Sequence, residues 1–128
     1  MIYLDSSVAL ARVLDEGRSP PDEFWSREFT ASRLIEYEVA TRILSRPDYS
    51  ARADRARVLL ENVALFEMTP NVLTRALQPF PLPVRTLDAL HLATMDFLRG
   101  QGLEIELATY DRRLAAAAEM LGFPLAAC

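Results

Sequence analysis

The sequence contains no lysine; all fourteen of its basic residues are arginine. That absence excludes Schiff-base chemistry at a lysine and the lysine–phosphate contact of a P-loop. The single cysteine, Cys128, excludes an internal disulfide and a cysteine-rich metal site, and it fits a reducing cytoplasm. No apolar run approaches the roughly 18 residues of a membrane span, and Met1 to Leu4 enters a strand pattern with no basic leader before it, so neither secretion nor a membrane partner is expected. Glycine is scarce at four residues while 51% of the chain is hydrophobic, which excludes a linker-like or disordered polymer. A formal charge of -4 lacks the basic field of a duplex-DNA binder. It leaves a nuclease open, because acids gathered to hold a cation are counted in that total.

At 128 residues the chain is the length of one domain, and residues 1–128 are read as one. Ile2-Tyr3-Leu4 is a short apolar run that stops at Asp5-Ser6-Ser7. Val8, Leu10, Ala11 and Leu14 then recur at helical spacing, with Ser6 or Ser7 available as the cap. Phe29-Thr30-Ala31 is a second strand pattern, Ser32 a cap, and Ile35, Val39 and Ile43 mark the buried side of a helix from Arg33 to Leu44. Ser50 to Glu61 is a helix, Val63 to Glu67 a strand, and Thr69-Pro70 opens the next helix with a cap followed by proline. After the proline-broken run Pro79 to Pro83, Thr86 caps a helix running to about Arg99, with Leu87, Leu90, Thr94, Phe97 and Leu98 as its apolar stripe. Ile105 to Thr109 is a strand, Asp111 caps a helix through Leu114, Ala117, Ala118 and Leu121, and Leu125 to Ala127 adds a short final strand. Alternating strands and helices predict βαβ units, right-handed crossovers and a parallel sheet.

Ligands of an open parallel sheet bind beyond the carboxyl ends of its strands, near the point where strand order reverses. Asp5 and Asp111 follow strands directly, while Asp88 and Glu38 lie in the first turns of helices, so all four carboxylates are expected at one rim. Each also has an ordinary explanation. Asp5 suits a turn, Asp111 a helix cap, and Asp88 the positive end of a helix dipole, worth about 0.3–1 kcal/mol. Glu38 can pair with Arg42 one turn on, for about 0.2–0.5 kcal/mol. Glu36, beside Arg33, and Asp96, two turns beyond Asp88, read as surface acids, and His91 as a packed, hydrogen-bonded histidine. Four clustered carboxylates repel one another unless a cation sits among them, and an all-oxygen donor set suits Mg²⁺ or Mn²⁺. Such an ion can activate water against a phosphodiester.

Four blocks, Leu4-Asp5-Ser6-Ser7, Ser32 to Ala40, Arg85 to Ala93 and Ala108 to Leu114, resemble in order those of PIN-domain nucleases, and most of all the VapC-type toxins of bacterial toxin–antitoxin pairs. The resemblance implies an α/β fold, a three-layer α/β/α sandwich with a central mostly parallel sheet. It also implies a Mg²⁺- or Mn²⁺-dependent endoribonuclease that leaves a 5′-phosphate and a 3′-hydroxyl. Carried across, Asp5, Glu38, Asp88 and Asp111 are the catalytic and metal-holding acids, and Ser6 and Thr109 orient carboxylates. A cognate antitoxin that covers the site and a toxin homodimer are implied as partners. Arg85, beside Asp88, and Arg112 and Arg113, beside Asp111, are placed to meet RNA phosphates.

Rival chemistries fit less well. A receiver domain needs an acidic pair after its first strand and a later lysine, and a haloacid-dehalogenase-like phosphatase needs an acid where Ser7 stands. A catalytically silent PIN-like binding module would have no use for the intact acid set.

Overall fold

Alternation along the first strand sets the layers. β1 (Ile2–Leu4) turns Ile2 and Leu4 to one face of the sheet and Tyr3 to the other, and each face has its own core. The computed structural model describes residues 1–128. After β1 come α1 (Ser6–Val13), a 3-10 helix (Asp22–Ser26), β2 (Phe29–Ser32), α2 (Leu34–Leu44) and α3 (Tyr49–Leu60). The chain continues through β3 (Val63–Phe66), α4 (Pro70–Ala76), α5 (Thr86–Gly100), β4 (Glu106–Ala108) and α6 (Arg112–Met120).

The strands pair in the order β3-β2-β1-β4, all parallel, with Ile2 opposite Phe29 on one side and Leu4 opposite Ala108 on the other. The chain builds outward from β1 through β2 to β3, then returns to add β4 on the opposite flank. The order therefore reverses between β1 and β4, and a crevice opens there beyond the strand ends. The core on the Ile2 and Leu4 face is filled by Val8 and Val13 of α1 and by Ile35, Val39 and Ile43 of α2. On the Tyr3 face, Leu92, Met95 and Leu98 of α5 meet Leu107, and Leu114, Ala117 and Ala118 of α6. Each such leucine or isoleucine contributes about 1.5–3 kcal/mol by leaving water. The arrangement is the expected three-layer α/β/α sandwich. None of its helices is long and apolar enough to cross a membrane.

Two local expectations are corrected. Leu125 makes a single bridge to Leu107 rather than a final strand. The apolar stripe of α5 holds at Thr94 and Leu98 but not at Leu87, which is exposed, and it understates the burial, since five successive residues, His91 to Met95, are buried. A helix buried over five successive positions is enclosed around its whole circumference, so a one-sided pattern cannot describe it. Its C-terminal half is held from outside by Asp96, which is not free in solvent but accepts from Arg75 of α4 at 2.8 Å and Arg99 at 2.9 Å.

Asp15, just past α1, has a positive φ of 52°, where a side chain is strained. Arg55 grips both its carboxylate oxygens and Arg52 one of them, fixing the end of α1 against α3.

Candidate active site

The reversal point is stitched by two hydroxyls. Asp5 follows β1 and sits beside the end of β4, its N–H donating to Ala108 O at 3.0 Å. Its Oδ2 accepts from Ser7 Oγ at 2.5 Å, from Thr109 Oγ1 at 2.8 Å and from Ser7 N at 3.3 Å, the last contact making Asp5 itself the cap of α1. Each hydroxyl also accepts a backbone N–H: Ser7 Oγ that of Tyr110 at 2.9 Å, and Thr109 Oγ1 that of Asp111 at 3.0 Å. Both hydroxyl protons are committed to Asp5, so the 3.4 Å approach of Ser7 Oγ to Thr109 Oγ1 adds little. Thr109 thus stands where the sequence places it. Ser6 does not: its side chain makes no hydrogen bond to a carboxylate, and Ser7 holds that role. A serine two residues after an aspartate at a strand end is the signature of this cap, and it was the available signal.

The other acids approach from three helices. Asp111 caps α6, its Oδ1 accepting from Arg113 N at 2.9 Å and Leu114 N at 3.2 Å. Asp88 lies in the first turn of α5, half-buried, and accepts no hydrogen bond from the protein. Thr86 is already helical and does not cap; the cap position is Arg85, with no side-chain bond. Glu38 of α2 is not paired with Arg42. Its Oε1 lies 2.6 Å from His91 Nε2, and its side chain is 18% exposed. His91 is 1% exposed and bonded on both nitrogens, Nδ1 meeting Tyr3 Oη at 2.8 Å. It is packed, as expected; its partners could not be foreseen.

Eight of the fourteen acids outside this quartet are held by arginines. Asp15, Asp22, Asp48, Asp96, Glu36, Glu61, Glu67 and Glu106 all pair with arginines. Asp5, Asp88 and Asp111 have no cationic partner, and Glu38 has only His91. Burial, then the charges of Asp111 and Asp5, push the Asp88 carboxyl above the usual carboxylate range, with Glu38 adding to the shift. Burial works against protonation of His91, but its bond to Glu38 and the charges of Glu38, Asp5 and Asp88 outweigh it and raise its pKa. The quartet is therefore one mutually repelling group.

As the side chains stand, no three ligating groups close into a metal shell. The donor set nevertheless fits a hard divalent cation. Asp5, Glu38 and Asp111 each have one oxygen tied and one free, Asp88 has both free, and none of these free oxygens is among the buried side-chain polar atoms left without a partner, which are Trp25 Nε1 and Tyr110 Oη. Arg85, Arg112 and Arg113 flank the rim, exposed and without a carboxylate partner.

The family model described as PIN domain matches residues 2–120. Among curated relatives, Ribonuclease VapC46 of Mycobacterium tuberculosis is 33% identical across 98% of this chain and 96% of its own length. Ribonuclease VapC47, from the same species, is 26% identical across 96% and 93%. Among solved structures, VapBC2 of Rickettsia felis, bound to a DNA fragment of its promoter, matches with a TM-score of 0.72 over 98% of both chains at 11% identity.

Proposed function

The chain belongs to the PIN-domain family, and from that premise we propose that it is a single-domain ribonuclease, the toxin of a toxin–antitoxin pair, whose RNA cleavage depends on Mg²⁺ or Mn²⁺. The observation that carries the reading is the acid quartet gathered at the sheet's reversal point, none of it held by an arginine and its members' charges together raising the Asp88 carboxyl. Asp5, Glu38, Asp88 and Asp111 would hold the ion. When bound, it would lower the pKa of a water and neutralise charge on the reacting phosphodiester, giving 5′-phosphate and 3′-hydroxyl ends.

The chain's own groups prepare that step. Ser7 and Thr109 fix Asp5 by one oxygen and leave the other without a protein donor. Asp111 is fixed in the same way by the first turn of α6. Asp88, with no protein donor, is the carboxylate most exposed to its neighbours' charge and the one with most to gain from a cation. Arg85, Arg112 and Arg113 offer cationic contacts to phosphates on either side of the reacting one.

An antitoxin that covers this rim and a homodimer of this chain complete the proposal. The antitoxin is supported by the resemblance to VapC toxins and by the likeness to a chain crystallised as a VapBC assembly, the homodimer by the resemblance alone. The test is cleavage of RNA by the purified chain with Mn²⁺, with Mg²⁺ and in EDTA. Cleavage in both metals, abolished by EDTA and by Asp88→Asn, is the expected result. Equal cleavage in EDTA refutes the metal dependence. No cleavage under any condition, with RNA still bound, returns the catalytically silent binding module.

A further inference from the structure

The Glu38 carboxylate ends a buried polar chain that begins on the backbone of β2. The Ser32 N–H donates to Tyr3 Oη at 3.1 Å, Tyr3 Oη meets His91 Nδ1 at 2.8 Å, and His91 Nε2 meets Glu38 Oε1 at 2.6 Å. An ionised carboxylate only accepts, so Nε2 carries the proton. Tyr3 Oη takes the Ser32 proton on a lone pair and has its own left to give to Nδ1. Tyr3 is fully buried and His91 is 1% exposed, with the two rings edge-to-face at 79°.

A buried polar string of this kind is costly where hydrocarbon would pack, unless each member is satisfied and its placement matters. Here it ties three elements that each carry a site acid: β1, which leads into Asp5; α2, which carries Glu38; and α5, on which His91 stands one turn after Asp88. Glu38 is the only glutamate of the four, so its reach depends on a longer side chain than the three aspartates have.

We propose that His91, braced by Tyr3 on the backbone of Ser32, is a positioning residue that holds Glu38 Oε1 and thereby presents its other oxygen to the rim. The proposal rests on the ribonuclease reading. In a metal-oxygen site, partners that orient a ligating carboxylate typically govern 10- to 100-fold of affinity or activity. His91 never touches substrate in this role; its whole effect passes through Glu38.

The test compares His91→Leu, His91→Gln and Tyr3→Phe, each alone and combined with Glu38→Gln, with Asp88→Asn as a control. Glutamine can place an amide N–H where Nε2 stands; leucine cannot. His91→Leu is expected to lower kcat for RNA cleavage about 10- to 100-fold with KM for RNA within about twofold, and His91→Gln to recover most of that loss. In the Glu38→Gln background, His91→Leu is expected to cost no further activity. In metal-free protein, the Glu38 carboxyl carbon resonance should shift in His91→Leu and Tyr3→Phe and return toward its original position in His91→Gln. Wild-type kcat in His91→Leu, or an equal loss with and without Glu38, overturns the proposal.

If His91→Leu does not fold, Tyr3→Phe carries the test. It keeps the ring and removes only the hydroxyl, and an unchanged kcat together with an unmoved Glu38 resonance overturns the proposal. If Asp88→Asn also cleaves at the wild-type rate, the ribonuclease site itself is misassigned. If Asp88→Asn is dead and the His91 variants are not, only the positioning role fails.

Discussion

Thr109 Oγ1 donates to Asp5 Oδ2 over 2.8 Å and accepts the Asp111 N–H over 3.0 Å, so one hydroxyl ties together two acids from opposite ends of the chain. Thr109→Val keeps the shape and removes both bonds. It should lower RNA cleavage about 10- to 100-fold and raise the metal concentration needed for half-maximal rate, while Thr109→Ser restores most of the activity. The Asp111 N–H left without its partner costs about 1 kcal/mol, visible in denaturant melts.

Asp88→Asn should abolish cleavage yet melt no lower than wild type in EDTA. The wild-type carboxylate is half-buried among the charges of Asp111, Asp5 and Glu38, and neutralising it removes that repulsion. Adding Mn²⁺ should raise the melting temperature of wild type and leave Asp88→Asn nearly unmoved. A strongly lowered melting temperature for the variant in EDTA would assign Asp88 to the fold instead.

Replacing Arg112 and Arg113 with alanine should weaken RNA binding and flatten its salt dependence. Each single-strand phosphate contact contributes about 0.7 to the slope of log affinity against log salt, so losing both flattens it by about 1.4. Binding measured with catalytically dead Asp88→Asn protein between low and moderate salt checks this. A parallel slope would place the RNA elsewhere.

The Asp96 clamp gives a pH signature. Partial burial pushes its carboxyl up, but hydrogen bonds from Arg75 and Arg99 outweigh that and hold it below the usual range. A depressed folded-state pKa contributes stability above the ordinary carboxylate pKa and loses it as pH falls through the lower folded value. Asp96→Asn should therefore cost about 1 kcal/mol at pH 7, with the gap to wild type closing as the pH drops below about 4. Urea melts across that range measure it.

The sequence carried three of the quartet in local patterns, because an aspartate just past a short apolar strand or in the first turn of a helix is placed by chain geometry alone. Asp5, Asp88 and Asp111 are of that kind. Glu38 is of another kind: its register on α2 is readable, but its partner is not. Arg42 is the near candidate by spacing; His91, far along the chain on a helix of the opposite layer, is the residue that the fold brings to Glu38. The Ser6 and Ser7 exchange has a smaller cause. Asp5 takes the cap position itself, which moves the useful hydroxyl one residue on. Leu87 departs from the α5 stripe for a third reason. A helix enclosed on every side near its middle has no single apolar face to read, and its first turn emerges at the rim, where Asp88 must be reachable.

The strand order has a temporal consequence. β1 and β4 are the first and last strands made, and they are adjacent in the sheet. Asp5 is synthesised well before Thr109, which tethers it, and Asp111, which neighbours it. Until then Asp5 lacks the Thr109 half of its tether and its Asp111 neighbour. The acid cluster is therefore complete only when the last strand of the sheet slots in beside the first.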